Sequence, residues 1–153
     1  MKGVYAMLCD IFNPKCVKLN LESTTKSEVL EELIEIIAAG NNDFDRRELL
    51  EAVTQRENKM HTGIMPGVAI PHGYCKTVNG IIGALGFSRA GIEYDELDGN
   101  PVHLFFLLLM DESSREEHLH ALSGLYELLN SEEFSEICAR GKPQEVCGLL
   151  NQY

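Results

Sequence analysis

The sequence predicts an α/β fold, and three observations carry that expectation. Short apolar runs of strand length, clearest at Val102–Leu109, alternate with segments whose apolar residues recur at helical spacing. Gly and Pro fall between these segments and not within most of them. No repeat, low-complexity tract or linker interrupts the 153 residues, so a single domain over 1–153 is expected. Interleaved strands and helices imply sheet and helix layers around a shared core.

Cys16–Leu19 alternates toward a short strand. Thr25 and Glu28 have capping-box spacing, and Val29, Leu30, Leu33, Ile36 and Ile37 then recur as one helical face that Gly40 ends. A second helix is predicted from Asp43 or Asp45 to about Asn58, with Leu49, Leu50 and Val53 inward. Thr62–Gly67, with two glycines, Met65 and Pro66, reads as a loop. Val68–Ile70 is a short apolar segment, and Pro71 holds the residue before it extended. His72 therefore stands just past a strand end. Ile81–Phe87 reads as a buried strand whose Gly83 and Gly86 allow close packing. Val102–Leu109 reads as the central strand. Amphipathic helices are expected at 114–129 and 143–150.

Composition narrows the function classes. Apolar residues make up 44% and charged residues 24%, a globular balance. The net charge of -11 disfavours nucleic acid and anionic membrane surfaces as partners. The five cysteines are scattered and odd in number, with no C-x-x-C pair, which suits a reducing compartment and neither a disulfide framework nor a zinc ribbon. The longest apolar run, Val102–Met110, is broken by His103 and too short to cross a bilayer. The first residues show no apolar leader core. A cytoplasmic location without membrane insertion is expected.

The histidines are the candidates for chemistry. His72 lies between Pro71, which fixes the chain entering it, and Gly73, which lets the backbone turn. Strand ends are where α/β folds commonly build sites, and the glycine-bearing loop before it can offer N–H groups to an anion. A turn histidine without chemistry is the alternative. At about 100° per residue, His118 shares a stripe with Leu122, Leu125 and Leu129, whereas His120 points to solvent. His118 thus faces the interior or a cleft, as a core residue or as a site residue. His103 opens the apolar strand and suits a structural hydrogen bond, and His61 sits at the mouth of the loop before His72. Arg56, near a helix end, either complements the helix dipole or waits for phosphate oxygens. Gly80, Gly83 and Gly86 form neither a dinucleotide fingerprint nor a P-loop. A zinc site from His61, His72 and His118 lacks a close ligand pair. The thiol of Cys75, three residues past His72, reads as buried or incidental.

Several of these residues fall into one longer pattern. Arg56-Glu57, Thr62-Gly63-Ile64 and Gly67-Val68-Ala69-Ile70-Pro71-His72-Gly73, followed by Leu97-Asp98-Gly99-Asn100-Pro101-Val102-His103-Leu104 and Glu117-His118-Leu119, resemble the phosphotransferase-system IIA domains of the fructose/mannitol type. That group includes the nitrogen-regulatory IIA relatives. The resemblance implies a mixed β-sheet flanked by helices on both faces. It implies a phosphotransferase component that accepts a phosphoryl group from the phosphocarrier protein HPr on His72. Sugar-type members pass the group to a cysteine of a IIB domain, and association with a membrane IIC component is open to such a domain. The family's second site histidine and its arginine map onto His118 and Arg56. No metal or nucleotide cofactor is implied, because the donor is already a phosphohistidine. A regulatory phospho-switch that binds partner proteins without onward transfer is the alternative. Met65 and Pro66 depart from a more glycine-rich family loop, and His61 stands where a small hydroxyl residue is common. A stiffer loop with a narrower choice of partner is the expectation.

Overall fold

The computed structural model describes residues 7–40, 43–59, 63–65, 67–94, 99–140 and 142–153. The centre is a pair of antiparallel strands, β5 (Ile81–Ile92) and β6 (Val102–Met110). A two-residue strand, β1 (Val17–Lys18), runs parallel to β5 on its outer side. On the other side β6 pairs in parallel with β3 (Val68–Ala69) and, further along, with β4 (His72–Tyr74). β2 (Gly63–Met65) closes that edge antiparallel to β3. The sheet is mixed, in the order β1-β5-β6-β3-β2, with β4 also on β6.

Period-two alternation along β6 divides the core. Leu104, Phe106, Leu108 and Met110 point to one face, where they meet α1 (Leu8–Ile11), α4 (Arg115–Leu129), α5 (Glu132–Arg140) and α6 (Pro143–Leu150). Phe105, Leu107 and Leu109 point to the other, against α2 (Lys26–Gly40) and α3 (Arg46–Lys59). Helices therefore cover both faces, and a strand buried on both faces has to be apolar throughout. Gly83 lets α1 approach: a Cβ there would lie 2.6 Å from the Phe12 ring and 2.7 Å from the Leu107 carbonyl.

Local sequence accounts for the helix starts. Thr25 Oγ1 accepts from the Glu28 N–H at 3.3 Å, while the Glu28 carboxylate accepts from the Thr25 hydroxyl at 2.9 Å. Pro143 occupies the first turn of α6, where no N–H is missed.

Three expectations need correction. The Thr62–Gly67 segment is not all loop, because Gly63–Met65 forms β2 with an irregular register against β3. The strand expected at Ile81–Phe87 continues to Ile92 across a bulge after Phe87. The inward line of α4 is Ala121, Leu125 and Leu128, with Leu122 and Leu129 half-buried beside it. His61 and Pro66 lie outside the described residues, as does the Met65 side chain, so the stiffer-loop expectation does too. Among the described residues no helix is long and apolar enough to cross a membrane.

Candidate functional site

The site begins at the break between β3 and β4. β3 lies beside Leu104 and Phe105, and β4 lies beside Leu108 to Met110, so both follow the same side of β6. Ile70 and Pro71 bridge them. Pro71 has no N–H for the ladder, but its carbonyl accepts from the Leu108 N–H at 2.9 Å and keeps the register. His72 thus opens β4 opposite Leu108, where the sequence placed it just past a strand end.

The break also orients the imidazole. Nδ1 of His72 lies 3.0 Å from the Ile70 carbonyl. A carbonyl only accepts, so Nδ1 carries the proton and donates. Nε2 is left with the lone pair. The ring is half-buried, and that burial is the largest influence lowering its pKa from 6.5. The Ile70 hydrogen bond opposes the shift, the Arg56 charge adds to it, and the Glu57 charge opposes it.

Gly73 brings the second group of residues in. A Cβ on Gly73 would lie 2.5 Å from the Ala52 carbonyl oxygen and 2.9 Å from the Val53 nitrogen, so α3 presses its backbone directly onto β4. Residues four apart share a helix face. Ala52 and Arg56 flank this contact, both half-buried, while Val53 and Glu57 turn fully inward. The approach that only glycine allows therefore delivers Arg56 and Glu57 beside His72. Glu57, 3% exposed, is reached by Lys26 Nζ of α2 at 3.5 Å.

His118 arrives from the opposite layer. Asp111, at the end of β6, accepts from the Gly80 N–H at 2.8 Å, the Ser113 N–H at 2.9 Å and the Ser114 hydroxyl at 3.0 Å. These bonds hold its pKa down at about 2, the Ser113 hydroxyl bond being the largest cause. The Ser114 carbonyl in turn accepts from the His118 N–H at 3.0 Å, in the first turn of α4. The His118 ring stands 5.1 Å from the His72 ring, centroid to centroid, tilted by 46°. Its Nε2 is buried and has no hydrogen-bond partner. Burial first, then the charges of His72 and Arg56, push its pKa down to about 4.

His72, His118 and Arg56 thus converge from β4, α4 and α3. At neutral pH both rings are neutral, His72 offering a lone pair at Nε2 and His118 a buried Nε2 with no hydrogen-bond partner. The remaining candidates among the described residues lie elsewhere. Nδ1–H of His103 donates to the Ser88 carbonyl at 2.8 Å across the β5 bulge, the structural role expected of it. His120 is exposed, and Cys75 is buried with its sulfur 3.1 Å from the Thr77 hydroxyl. Sequence reasoning missed the buried Glu57 and the Asp111 clamp. A signal for Glu57 was present, since it lies four residues beyond the inward Val53.

This arrangement has known counterparts. The family model for the phosphoenolpyruvate-dependent sugar phosphotransferase system, EIIA 2, matches residues 10–153. The fructose-specific EIIABC component of Bacillus subtilis is 33% identical over 147 residues, covering 95% of this chain but only 23% of that protein. The nitrogen regulatory protein of Pseudomonas aeruginosa is 33% identical over 120 residues, 78% of each chain. The crystal structure of nitrogen regulatory protein IIA-Ntr from Neisseria meningitidis superposes with a TM-score of 0.81 at 29% identity, covering 92% of this chain and 97% of that one. With the family pattern running from α1 to the last residue over the same mixed sheet, the chain belongs to the EIIA 2 family of the sugar phosphotransferase system.

Proposed function

We propose that this chain is a cytoplasmic phosphoryl carrier, one IIA domain over 1–153, that takes a phosphoryl group from an HPr-type phosphocarrier onto His72. The observation that carries the reading is the bond from Nδ1–H of His72 to the Ile70 carbonyl, which leaves Nε2 as the nucleophile. Its lone pair attacks phosphorus in line. The N–P bond of the donor phosphohistidine breaks, and its electron pair returns to the donor imidazole. Nδ1 keeps its proton throughout, and its bond to Ile70 strengthens as the ring gains positive charge. His118 donates its spare Nε2–H to a phosphoryl oxygen, and Arg56 supplies the neighbouring positive charge. The protein's contribution is position and preset charge.

Onward transfer runs the same chemistry in the other direction. A IIB cysteine thiolate attacks, an S–P bond forms, and the N–P bond to His72 breaks. The name of the Bacillus relative, which joins A, B and C in one component, favours this reading. The second reading is a phospho-switch that regulates a partner without onward transfer, favoured by the relatives named nitrogen regulatory protein. Reconstitution with phosphorylated HPr tests both. One acid-labile, base-stable phosphate is expected, and His72→Gln should lose it while staying folded. Undiminished labelling of that variant would exclude His72. Discharge of the label by a IIB domain separates the carrier from the switch.

A further inference from the structure

Glu57 is the one charged residue among the described residues whose exposure is as low as 3%. The two other buried polar residues have evident uses: Ser88 Oγ accepts from the Gly91 N–H, and the Ser114 hydroxyl binds Asp111. Glu57 instead meets Lys26, whose ammonium lies 3.5 Å from the carboxylate and 4.6 Å above the centre of the Tyr94 ring. Tyr94 packs edge-on against Phe105 of the central strand. Lys26 is thus fixed between a carboxylate and an aromatic face, and its charge is committed to Glu57.

As a tether between α2 and α3, such a pair is a poor choice. Burying the Glu57 carboxylate costs much of what its attraction to the partly exposed Lys26 returns, and apolar side chains of similar size would join the helices at least as well. A carboxylate contributes what they cannot, a negative charge. Its location gives that charge an object. Glu57 follows Arg56 in the chain, on the turn of α3 that Gly73 admits beside His72. The charged or titratable groups acting on the His72 ring are Arg56 and Glu57 from α3 and His118 from α4, with Lys26 of α2 behind Glu57.

We propose that Glu57, held by Lys26, is a positioning residue of the site: its buried carboxylate is the counter-charge to Arg56 and sets how readily His72 takes up a proton or a phosphoryl group. The proton half of this statement concerns the free protein, and the phosphoryl half rests on the carrier function proposed above. Arg56 alone would favour the phosphorylated ring so strongly that release would suffer. Glu57 moderates it, and Lys26 moderates Glu57 in turn.

The two partners then have opposite effects. Glu57→Gln keeps the shape and removes the negative charge, so the His72 titration midpoint should fall by about half a unit, roughly threefold in proton affinity. Lys26→Met removes the positive charge beside Glu57 and keeps the carboxylate, so the midpoint should rise by a similar amount. Imidazole NMR titration of the full chain reads both without any phosphoryl donor. Charging by phosphorylated HPr should follow in mirror image, with phosphoryl occupancy at equilibrium up for Glu57→Gln and down for Lys26→Met. A simple tether predicts lower stability in both variants and an unmoved His72 midpoint, and that result would overturn the proposal. Opposite midpoint shifts without phosphorylation of wild type would sustain Glu57 and reject the carrier. If Glu57→Gln fails to fold, Lys26→Met, changed at the partly exposed partner, decides the matter alone by its sign.

Discussion

The rings of His72 and His118 lie 5.1 Å apart and arrive from different layers of the fold, one from an edge strand and one from a helix covering the other side of the core. Neither has a charged partner within its own element. If the two Nε2 atoms are aimed at a common point, a group that bonds to one and accepts from the other would join them. A phosphoryl group has both abilities.

His118→Ala should therefore slow charging of His72 without preventing it. A charge-assisted hydrogen bond is worth roughly 1.5–3 kcal/mol, which is about 10- to 150-fold in rate if it forms mainly in the transition state. Stopped-flow or quench measurement of the transfer from phosphorylated HPr checks this. A rate within twofold of wild type would return His118 to a purely structural role.

The same two histidines make stability depend on pH in a definite window. Both have pKa values lowered on folding, His118 from 6.5 to about 4. The unfolded chain therefore binds protons before the native one does as pH falls. Their contribution is complete above about pH 6.5–7 and is lost progressively toward pH 4. Asp111 acts in the same sense but lower, between 3.8 and about 2. Urea midpoints at pH 7.5, 5.5 and 4.5 should fall in that order, and the fall should shrink in His118→Gln. An equal fall in that variant would assign the pH dependence to other groups.

Much of this was legible in the chain because its signals are local. Thr25–Glu28 announces α2, and the apolar run at Val102–Leu109, interrupted only by His103, reads as a strand covered on both sides. The Pro71-His72-Gly73 order singled out the candidate site, and the structure shows there a ladder position without an N–H and a backbone contact at 2.5 Å. What stayed hidden depends on distant partners. β2 is a strand only because β3 pairs with it, and its Gly-Met-Pro surroundings read as a turn. α5 buries only Phe134, Ile137 and Cys138 in nine residues, too short a pattern to stand out. β5 passes Phe87 only by bulging at Ser88–Gly91, where Ser88 binds both Gly91 and His103. The role of Glu57 depends on Lys26, 31 positions away across α2 and α3.

Asp111 offers a test of how the second histidine is held. Its carboxylate ties the turn before β5, through Gly80, to the start of α4 through Ser113 and Ser114. Asp111→Asn keeps the size but loses acceptor capacity. Amide exchange at Gly80 and Ser113 should quicken, the His118 imidazole signals should shift, and transfer should slow, with the His72–Ile70 bond intact. Unchanged His118 signals beside faster Gly80 exchange would mean that α4 is placed by its core residues alone.

The sharpest structural prediction concerns Gly73. Its missing Cβ is what allows the α3 backbone at Ala52 and Val53 to lie on β4, and the obstructing atoms are main chain that cannot rotate away. Gly73→Ala must push α3 outward or distort β4. Overpacking of this kind costs typically about 1–3 kcal/mol. The more specific consequence follows from Arg56 and Glu57 riding on that helix: both charges retreat from His72, and transfer should fall well beyond what lost stability explains at a temperature where the variant is fully folded. Gly40→Ala is the control, because a Cβ there meets nothing within 4 Å, and it should be neutral or slightly stabilising at the end of α2. Denaturation and transfer rates measured on both variants separate the two effects. A folded Gly73→Ala protein with wild-type transfer would show that the close approach of α3 serves packing alone and that Arg56 reaches His72 without it.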